Sequence, residues 1–111
     1  MSLSLDALAV LDAIDRRGSF AAAALELDRV PSAVTYTMRR LEGELDVLLF
    51  DRRGRRATLT SAGRELLVHG RQLLAEASAL EQRVQRIATG WEADLRVAVD
   101  TIVPFTRIWP L

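Results

Sequence analysis

The chain has 111 residues, of which 50% are hydrophobic, and its 15 basic residues, all arginine, balance 15 acidic residues to a net charge of zero. It contains no apolar run of the roughly 18 residues that cross a membrane, and its N-terminus lacks the basic segment that begins a signal peptide. It has no cysteine, which excludes disulfides, thiolate chemistry and cysteine-bound zinc. We therefore expect a cytoplasmic protein, away from membranes, with one small packed domain and an extension.

The first two predicted helices follow from apolar periodicity and from two small residues between them. The first helix is defined by apolar residues spaced i, i+3, i+4 and i+7, namely Ala7, Val10, Leu11 and Ile14. Gly18 is predicted to end it, because glycine readily adopts the left-handed conformation that commonly closes a helix. Ser19 is then placed to cap a second helix that runs from Phe20 to about Leu27.

A third helix is predicted from Pro31 to about Leu45. Proline suits the first helical position, where an N–H group would have no helical partner. The side chains predicted to be buried are Ala33, Val34, Met38, Leu41 and Leu45, and those predicted to face elsewhere are Ser32, Thr35, Tyr36, Arg39 and Arg40. Two short helices joined by a tight break form a helix-turn-helix, whose second helix enters the DNA major groove with its N-terminal residues.

An arginine-rich β-hairpin is predicted next. The short apolar runs at residues 47–50 and 57–59 flank a polar segment whose arginines are Arg52, Arg53, Arg55 and Arg56. Residues 51–71 carry 6 arginines and 2 acidic residues. By contrast, residues 1–50 carry 5 arginines and 8 acidic residues, and residues 72–111 carry 4 arginines and 5 acidic residues. Arginine binds phosphates and suits a narrow minor groove, although a codon preference for arginine explains the absence of lysine equally well.

A long fourth helix is predicted from Thr60, its cap, to about residues 89–90. It carries a heptad repeat of two apolar series, Leu66, Leu73, Leu80 and Ile87 in one and Gly70, Ala77 and Val84 in the other. About 30 residues at roughly 1.5 Å each make a rod of about 45 Å, of which the preceding domain can bury only the first two turns. We therefore predict a homodimer whose contacts are Leu66, Leu73, Ala77, Leu80, Val84 and Ile87.

The segment after Gly90 has a different pattern. Leu95, Val97 and Val99 alternate with more polar residues, which is typical of a strand. A single strand is not a domain, so residues 91–111 are interpreted as the start of an α/β domain that this chain truncates. The predicted fold is mainly α, with a winged helix-turn-helix at residues 1–59 and a dimerising linker helix at residues 60–90.

The order of these features resembles the N-terminal region of LysR-type transcriptional regulators over about residues 3–104. The matching residues are Gly18, Ser19, Phe20, Ala23, Ala24, Leu27, Pro31, Ser32, Ala33, Val34, Thr35, Arg40, Leu41, Glu42, Glu44, Leu45, Val47, Leu49, Phe50, Arg52, Leu59, Thr60, Ala62 and Gly63. Three positions depart from the family pattern, of which Ser61, where proline is common after Thr60, is the minor one. Val30 stands where a capping serine or threonine is common, and Tyr36 stands where arginine is common.

The resemblance implies a winged helix-turn-helix that binds double-stranded DNA at an interrupted palindrome in a promoter, as a homodimer or a tetramer. It also implies a C-terminal domain, outside this chain, that binds a small-molecule effector, and we expect no cofactor and no metal within residues 1–111. The predicted DNA-binding residues are Ser19, Pro31, Ser32, Ala33, Thr35, Tyr36, Arg39, Arg40, Arg52, Arg53, Arg55 and Arg56.

Three alternatives were compared with this interpretation. A MarR-like winged-helix repressor would have dimerising helices on both sides of the motif, but here the first helix begins within a few residues of Met1. A helical interaction module would leave the arginine-rich hairpin without a role. An enzyme is disfavoured, because His69 is the only histidine and no nucleophile–base pair or metal-ligand spacing occurs. The acidic pairs Glu42/Glu44 and Asp12/Asp15 are interpreted as solvated helix faces.

Overall fold

The structure, a computed structural model, describes residues 3–51, 53 and 56–102, with side chains described up to residue 90. Its elements are α1 (Leu5–Arg17), α2 (Phe20–Leu27), α3 (Pro31–Leu45), β1 (Phe50–Asp51), β2 (Thr58–Leu59) and α4 (Ser61–Ile102). The mainly helical fold with a small hairpin agrees with the fold predicted from the sequence. The chain divides into two compact units, and the boundary lies within α4 between Ala75 and Glu76. No helix among the described residues is long and apolar enough to span a bilayer.

Serine side chains start the first two helices, as predicted for the second. The hydroxyl of Ser4 accepts the N–H of Ala7 at 3.0 Å, and the hydroxyl of Ser19 accepts the N–H of Ala22 at 3.0 Å. Gly18 adopts φ 83° and donates its N–H to the Ile14 carbonyl, which closes α1. The tight α1–α2 turn thus depends on a left-handed residue followed at once by a capping serine.

The start of α3 lacks a side-chain cap. Val30 occupies the capping position in an extended conformation, and its side chain makes no capping hydrogen bond. Pro31 at the first helical position removes one of the N–H groups that a cap would satisfy, and its fixed φ favours the helix. The departure at Val30 is therefore accommodated by the proline that follows it.

The core of the first unit lies between α1, α2, α3 and the hairpin. Its fully buried side chains of largest volume are Phe50, Leu11, Ile14, Met38, Leu41, Leu49, Val10 and Val34. The ring of Phe20 packs edge-on against Phe50, with centroids 5.1 Å apart. This packing fixes the first strand of the hairpin against the turn between α1 and α2.

Two predictions about the buried stripe of α3 are corrected by the structure. Leu45 is 38% exposed, because it is the last residue of α3 and the chain turns away at Asp46, which has φ 57°. Glu42, interpreted from the sequence as solvated, is buried in the stripe with 7% exposure. The predicted residue Ala33 is half-buried.

The hairpin is shorter than its sequence pattern. Phe50 pairs with Leu59 and Asp51 with Thr58 in an antiparallel ladder. The preceding residues Val47 and Leu48 are 40% and 63% exposed and lie outside the strand. Residues 50–59 are called the wing below.

The fourth helix is longer than predicted. It continues from Ser61 to Ile102, so the predicted end near residues 89–90 and the predicted strand around Leu95, Val97 and Val99 are wrong. A strand needs a neighbouring strand for its backbone hydrogen bonds, and the strands in the described residues, β1 and β2, pair with each other. A helix satisfies the same groups internally, and α4 continues through Gly90 without a break.

The first turns of α4 dock on the core of the first unit. Leu67 is 5% exposed and belongs to the core, while Leu66 packs against it. Gly70 meets α1 so closely that a Cβ there would lie 2.7 Å from a methyl group of Leu8. These contacts place the beginning of the heptad within its own domain.

Candidate nucleic-acid interface

The N-terminal half of α3 presents polar side chains on one face and core residues on the other. Ser32, Tyr36 and Arg39 are exposed, with 64% of Tyr36 accessible. Val34 and Met38 on the opposite face are fully buried. Among the other residues predicted to bind DNA, Pro31 is exposed, and Ala33 and Thr35 are half-buried. The prediction that Tyr36 is excluded from the core is confirmed.

Arg40 differs from Arg39, because its charge is already paired. Its Nε donates to Oε1 of Glu44 at 2.9 Å, one helical turn away. Hydrogen bonding and charge from Glu44 raise the pKa of Arg40 above its usual value. The side chain also lines a groove of about 300 Å³ between the start of α1 and α3, together with Tyr36 and Asp6. Of the two predicted arginines on α3, Arg39 is the one without an ion pair among the described residues, whereas Arg40 would exchange its exposed pair with Glu44 for an external anion at little cost.

The wing carries one paired and one unpaired arginine among the described residues. The Arg53 guanidinium donates to Asp51, with Nη2 2.7 Å from Oδ2, and the Arg53 backbone N–H also donates to that carboxylate. These hydrogen bonds lower the pKa of Asp51 to about 2. Arg56 is exposed. The predicted residues Arg52 and Arg55 lie outside the described part of the chain.

The end of the wing lies beside the start of α2. The N–H of Ala57 donates to the carbonyl of Gly18 at 3.3 Å. A guanidinium nitrogen of Arg56 lies 3.5 Å from the position that a Cβ of Gly18 would occupy. The structure thus brings Arg56 close to Gly18, which immediately precedes the N-terminus of α2, where N–H groups and the helix dipole favour an anion.

Glu42 is a functional candidate that the sequence interpretation missed. Its Oε2 accepts the backbone N–H of Leu49 at 2.7 Å and that of Phe50 at 3.4 Å, which ties α3 to the strand that begins the wing. The available signal was its spacing. Glu42 follows Val34 by eight residues and Met38 by four, so it falls on the same helical face as those two core residues.

The acidic residues Asp12 and Asp15 of α1 are respectively half-buried and exposed, and both are paired with arginine, which the sequence interpretation did not predict. Asp12 accepts a hydrogen bond from Arg71 of α4 at 2.6 Å, and Asp15 accepts one from the same guanidinium at 3.0 Å. The second oxygen of Asp12 binds Arg16, which also pairs with Glu26 of α2. Hydrogen bonds from Arg16 and then Arg17 lower the pKa of Glu26 to about 2. The ion pairs therefore connect α4, α1 and α2.

The predicted dimerisation residues divide into two groups. Leu66 packs on the core of its own unit. Ala77 is half-buried, whereas Leu73, Leu80, Val84 and Ile87 are 44%, 53%, 57% and 72% exposed. The single chain thus leaves most of the heptad face uncovered. His69, on a different face, is exposed and lies 2.8 Å from Glu65 one turn earlier.

Comparison with known sequences gives consistent matches. The family described as bacterial regulatory helix-turn-helix protein, lysR family, matches residues 5–64. The probable HTH-type transcriptional regulator YhaJ of Escherichia coli K12 is 54% identical over 110 residues, covering 99% of this chain and 37% of that protein. The regulator PunR of the same organism is 52% identical, covering 86% of this chain and 31% of PunR. The chain thus spans about a third of the length of these relatives.

Solved structures share the fold. The BenM_DBD/catB site 1 DNA complex matches with a TM-score of 0.77 and 26% identity, covering 79% of this chain and 95% of that one. The CbnR_DBD–DNA complex matches with a TM-score of 0.72 and 31% identity, covering 78% and 99%. From the helix-turn-helix, the wing and these matches together, the chain belongs to the LysR family of bacterial regulatory helix-turn-helix proteins.

Proposed function

We propose that this chain is the DNA-binding part of a transcriptional regulator, with α3 as the recognition helix in the major groove. The observation that carries the proposal is the face of Ser32, Tyr36 and Arg39, which is polar, exposed and not used by the core. Such a face at the N-terminal end of the second helix of a helix-turn-helix is the part that reaches base edges. The DNA complexes of the BenM and CbnR relatives support this assignment.

Tyr36 is proposed to determine part of the base preference. Serine and threonine hydroxyls bond many base edges and discriminate weakly, whereas arginine and asparagine have strong base preferences. Tyrosine adds a ring and one hydroxyl at a position where the family commonly has arginine. The preferred operator therefore cannot be transferred from relatives with arginine at this position.

In vitro selection of bound DNA tests both statements. We expect two half-sites related by a dyad, and we expect Tyr36→Ala to change the preferred base at one or two positions of each half-site, by about 1–3 kcal/mol for each base that the side chain reads. Tyr36→Phe separates the hydroxyl from the ring. A Tyr36→Ala variant that melts early and selects the wild-type sequences would show that Tyr36 is a packing residue. Failure of the wild type to enrich any sequence would reject the DNA-reading function.

A second copy of the chain is the proposed partner of the exposed heptad face, and the charges favour antiparallel helices. In a parallel pair, Glu76 would face Glu81 of the second copy, which is repulsive. In the antiparallel register that pairs Ala77 with Leu80 of the second copy, Glu76 instead faces Arg83. The antiparallel register also pairs Leu73 with Val84 of the second copy. Each layer of the helix–helix contact then contains one residue of the leucine series and one of the series of Gly70, Ala77 and Val84.

Two sets of variants test the dimer. Leu73→Asp with Leu80→Asp should yield monomers in sedimentation experiments, because charged residues would have to be buried in the seam. Glu76→Arg distinguishes the orientations, since it should weaken an antiparallel dimer and strengthen a parallel one. Adding Arg83→Glu to Glu76→Arg should restore the antiparallel dimer. An unchanged mass for the double aspartate variant would exclude this seam.

The effector and the regulatory output are proposed to depend on residues outside this chain. The relatives are about three times longer than the matched region, and the family resemblance implies that a small molecule binds the additional part. Cytoplasmic localisation belongs to the same proposal, since the DNA of a bacterium lies there. Ligand screening of the full-length protein by thermal shift, with the 111-residue chain as the control, would test where the effector binds.

A further inference from the structure

Glu42 is buried although it is charged, and among the described residues it is the one such side chain. Its hydrogen bonds with Leu49 and Phe50 join α3 to the start of the wing. Burying a carboxylate is unfavourable unless hydrogen bonds compensate it. Here the N–H groups of Leu49 and Phe50 donate to it. Hydrogen bonds to a charged acceptor are about twice as strong as those between neutral groups. Glu42 therefore fixes the chain where it leaves α3 and enters β1.

The same segment is held from its other edge by the start of α4. The Thr60 hydroxyl donates to the Leu48 carbonyl at 2.6 Å, and the Thr60 N–H donates to the Leu49 carbonyl at 3.0 Å. The absence of a side chain at Gly63 makes this approach possible, because a Cβ there would lie 2.2 Å from the Leu49 oxygen. Residues 48–50 thus bind α3 through N–H groups and α4 through carbonyl groups.

We propose that Glu42 is a positioning residue that fixes the wing relative to the recognition helix, so that both meet one DNA site together. The inference rests on the proposed DNA-binding function. Removal of the carboxylate leaves the polar face of α3 and the wing arginines chemically intact but no longer held in one arrangement. The defect therefore appears in phosphate binding and affinity, while the base preference of α3 is retained.

The test uses Glu42→Gln in the full chain, with Glu44→Gln as the matched control. Both variants remove one carboxylate from α3, but Glu44 is on the surface and pairs with Arg40. Binding to the sequence selected by the wild type is measured as a function of salt. For Glu42→Gln, which replaces the charged acceptor of these bonds by a neutral amide oxygen, we expect binding about tenfold weaker. The salt slope should fall by about 0.9 for each phosphate that the wing no longer neutralises, with unchanged base preferences.

Hydrogen exchange provides a measurement that does not require DNA. The amides of Leu49 and Phe50 should exchange faster in Glu42→Gln and at the wild-type rate in Glu44→Gln. If exchange is faster in Glu42→Gln but the wild type binds no DNA, the proposed function is rejected. The contact of Glu42 with Leu49 and Phe50 would still be supported. Wild-type exchange and wild-type salt slope in Glu42→Gln would overturn the inference, as would altered base preferences with an unchanged slope.

A variant on the other edge of the segment covers the case in which Glu42→Gln does not fold. Thr60→Val removes both bonds of the hydroxyl, the one donated to the Leu48 carbonyl and the one accepted from the Gly63 N–H, whereas Thr60→Ser retains them. We expect a reduced salt slope for Thr60→Val and the wild-type slope for Thr60→Ser. Equal slopes for the two variants would show that the position of this segment does not control the wing.

Discussion

Replacing Gly63 by alanine is expected to destabilise the first unit, whereas the same replacement at Gly43 is expected to stabilise it. Both glycines lie inside helices, where alanine is favoured over glycine by about 1 kcal/mol. A Cβ at Gly43 meets nothing within 4 Å, whereas one at Gly63 would lie 2.2 Å from the Leu49 carbonyl oxygen and 2.9 Å from a methyl group of Leu59. A backbone carbonyl cannot rotate away as a side chain can, and this one is bonded to Thr60.

The expected magnitude combines three effects. Overpacking costs about 1–3 kcal/mol, and weakening the Thr60–Leu49 hydrogen bond adds about 0.5–1.5 kcal/mol. Against these stands the helical gain of about 1 kcal/mol. The net destabilisation is about 0.5–3.5 kcal/mol, and each kcal/mol corresponds to about 4–8 °C in a domain of this size.

Thermal unfolding followed by circular dichroism, at one protein concentration, measures the difference. Gly43→Ala should melt above the wild type by up to about 8 °C. Gly70→Ala is an informative intermediate, since its nearest obstacle is a methyl group of Leu8 rather than backbone. A Gly63→Ala variant that melts at or above the wild-type temperature would show that the start of α4 is not packed on the Leu49 carbonyl and does not hold residues 48–50 in place.

Two further predictions concern charge. Arg56→Ala should weaken binding to all DNA sequences alike and reduce the salt slope by about one, and an unchanged slope would place the wing away from the DNA. The pKa of Glu26 is about 2 in the folded chain, against about 4.3 in an unfolded one. The unfolded state therefore binds a proton that the folded state does not as the pH falls from about 5 to 2, so stability is complete above that window and decreases through it. Glu26→Gln should flatten this acid limb in urea titrations at successive pH values, and an identical limb would contradict the assignment.

The sequence predicted the elements whose signals are local. Helical periodicity, the Gly18–Ser19 boundary and Pro31 defined the first three helices to within a residue or two. The exposure of Tyr36 followed from the same reasoning, because Val34, Met38 and Leu41 already occupied the core face. Each of these inferences needed only residues within one or two helical turns of each other.

The errors arose where a residue's environment depends on distant parts of the chain. Glu42 was interpreted as solvated because it is charged, although its position in the helix is that of a core residue. The N–H groups that make its burial possible belong to the next element, so α3 alone did not reveal them. The ion pairs of Asp12 and Asp15 were missed because their partner Arg71 is more than 50 residues away, and it approaches only when Leu67 and Gly70 dock α4 on the core. The alternation around Val97 predicted a strand without showing which strand it would pair with.

The zero net charge is compatible with DNA binding because the charges are unequally paired. Arg16, Arg17, Arg29 and Arg71 all bind acidic residues of α1 or α2. Of the arginines described in the first unit, those without an acidic partner are Arg39 on α3, Arg56 on the wing and Arg64 near the start of α4. Internal ion pairs thus neutralise the arginines that join helices and leave positive charge at the proposed interface. A phosphate backbone responds to this local charge, because solvent ions screen charges more than about 10 Å apart. A protein whose net charge is zero can therefore still approach DNA by one positively charged face.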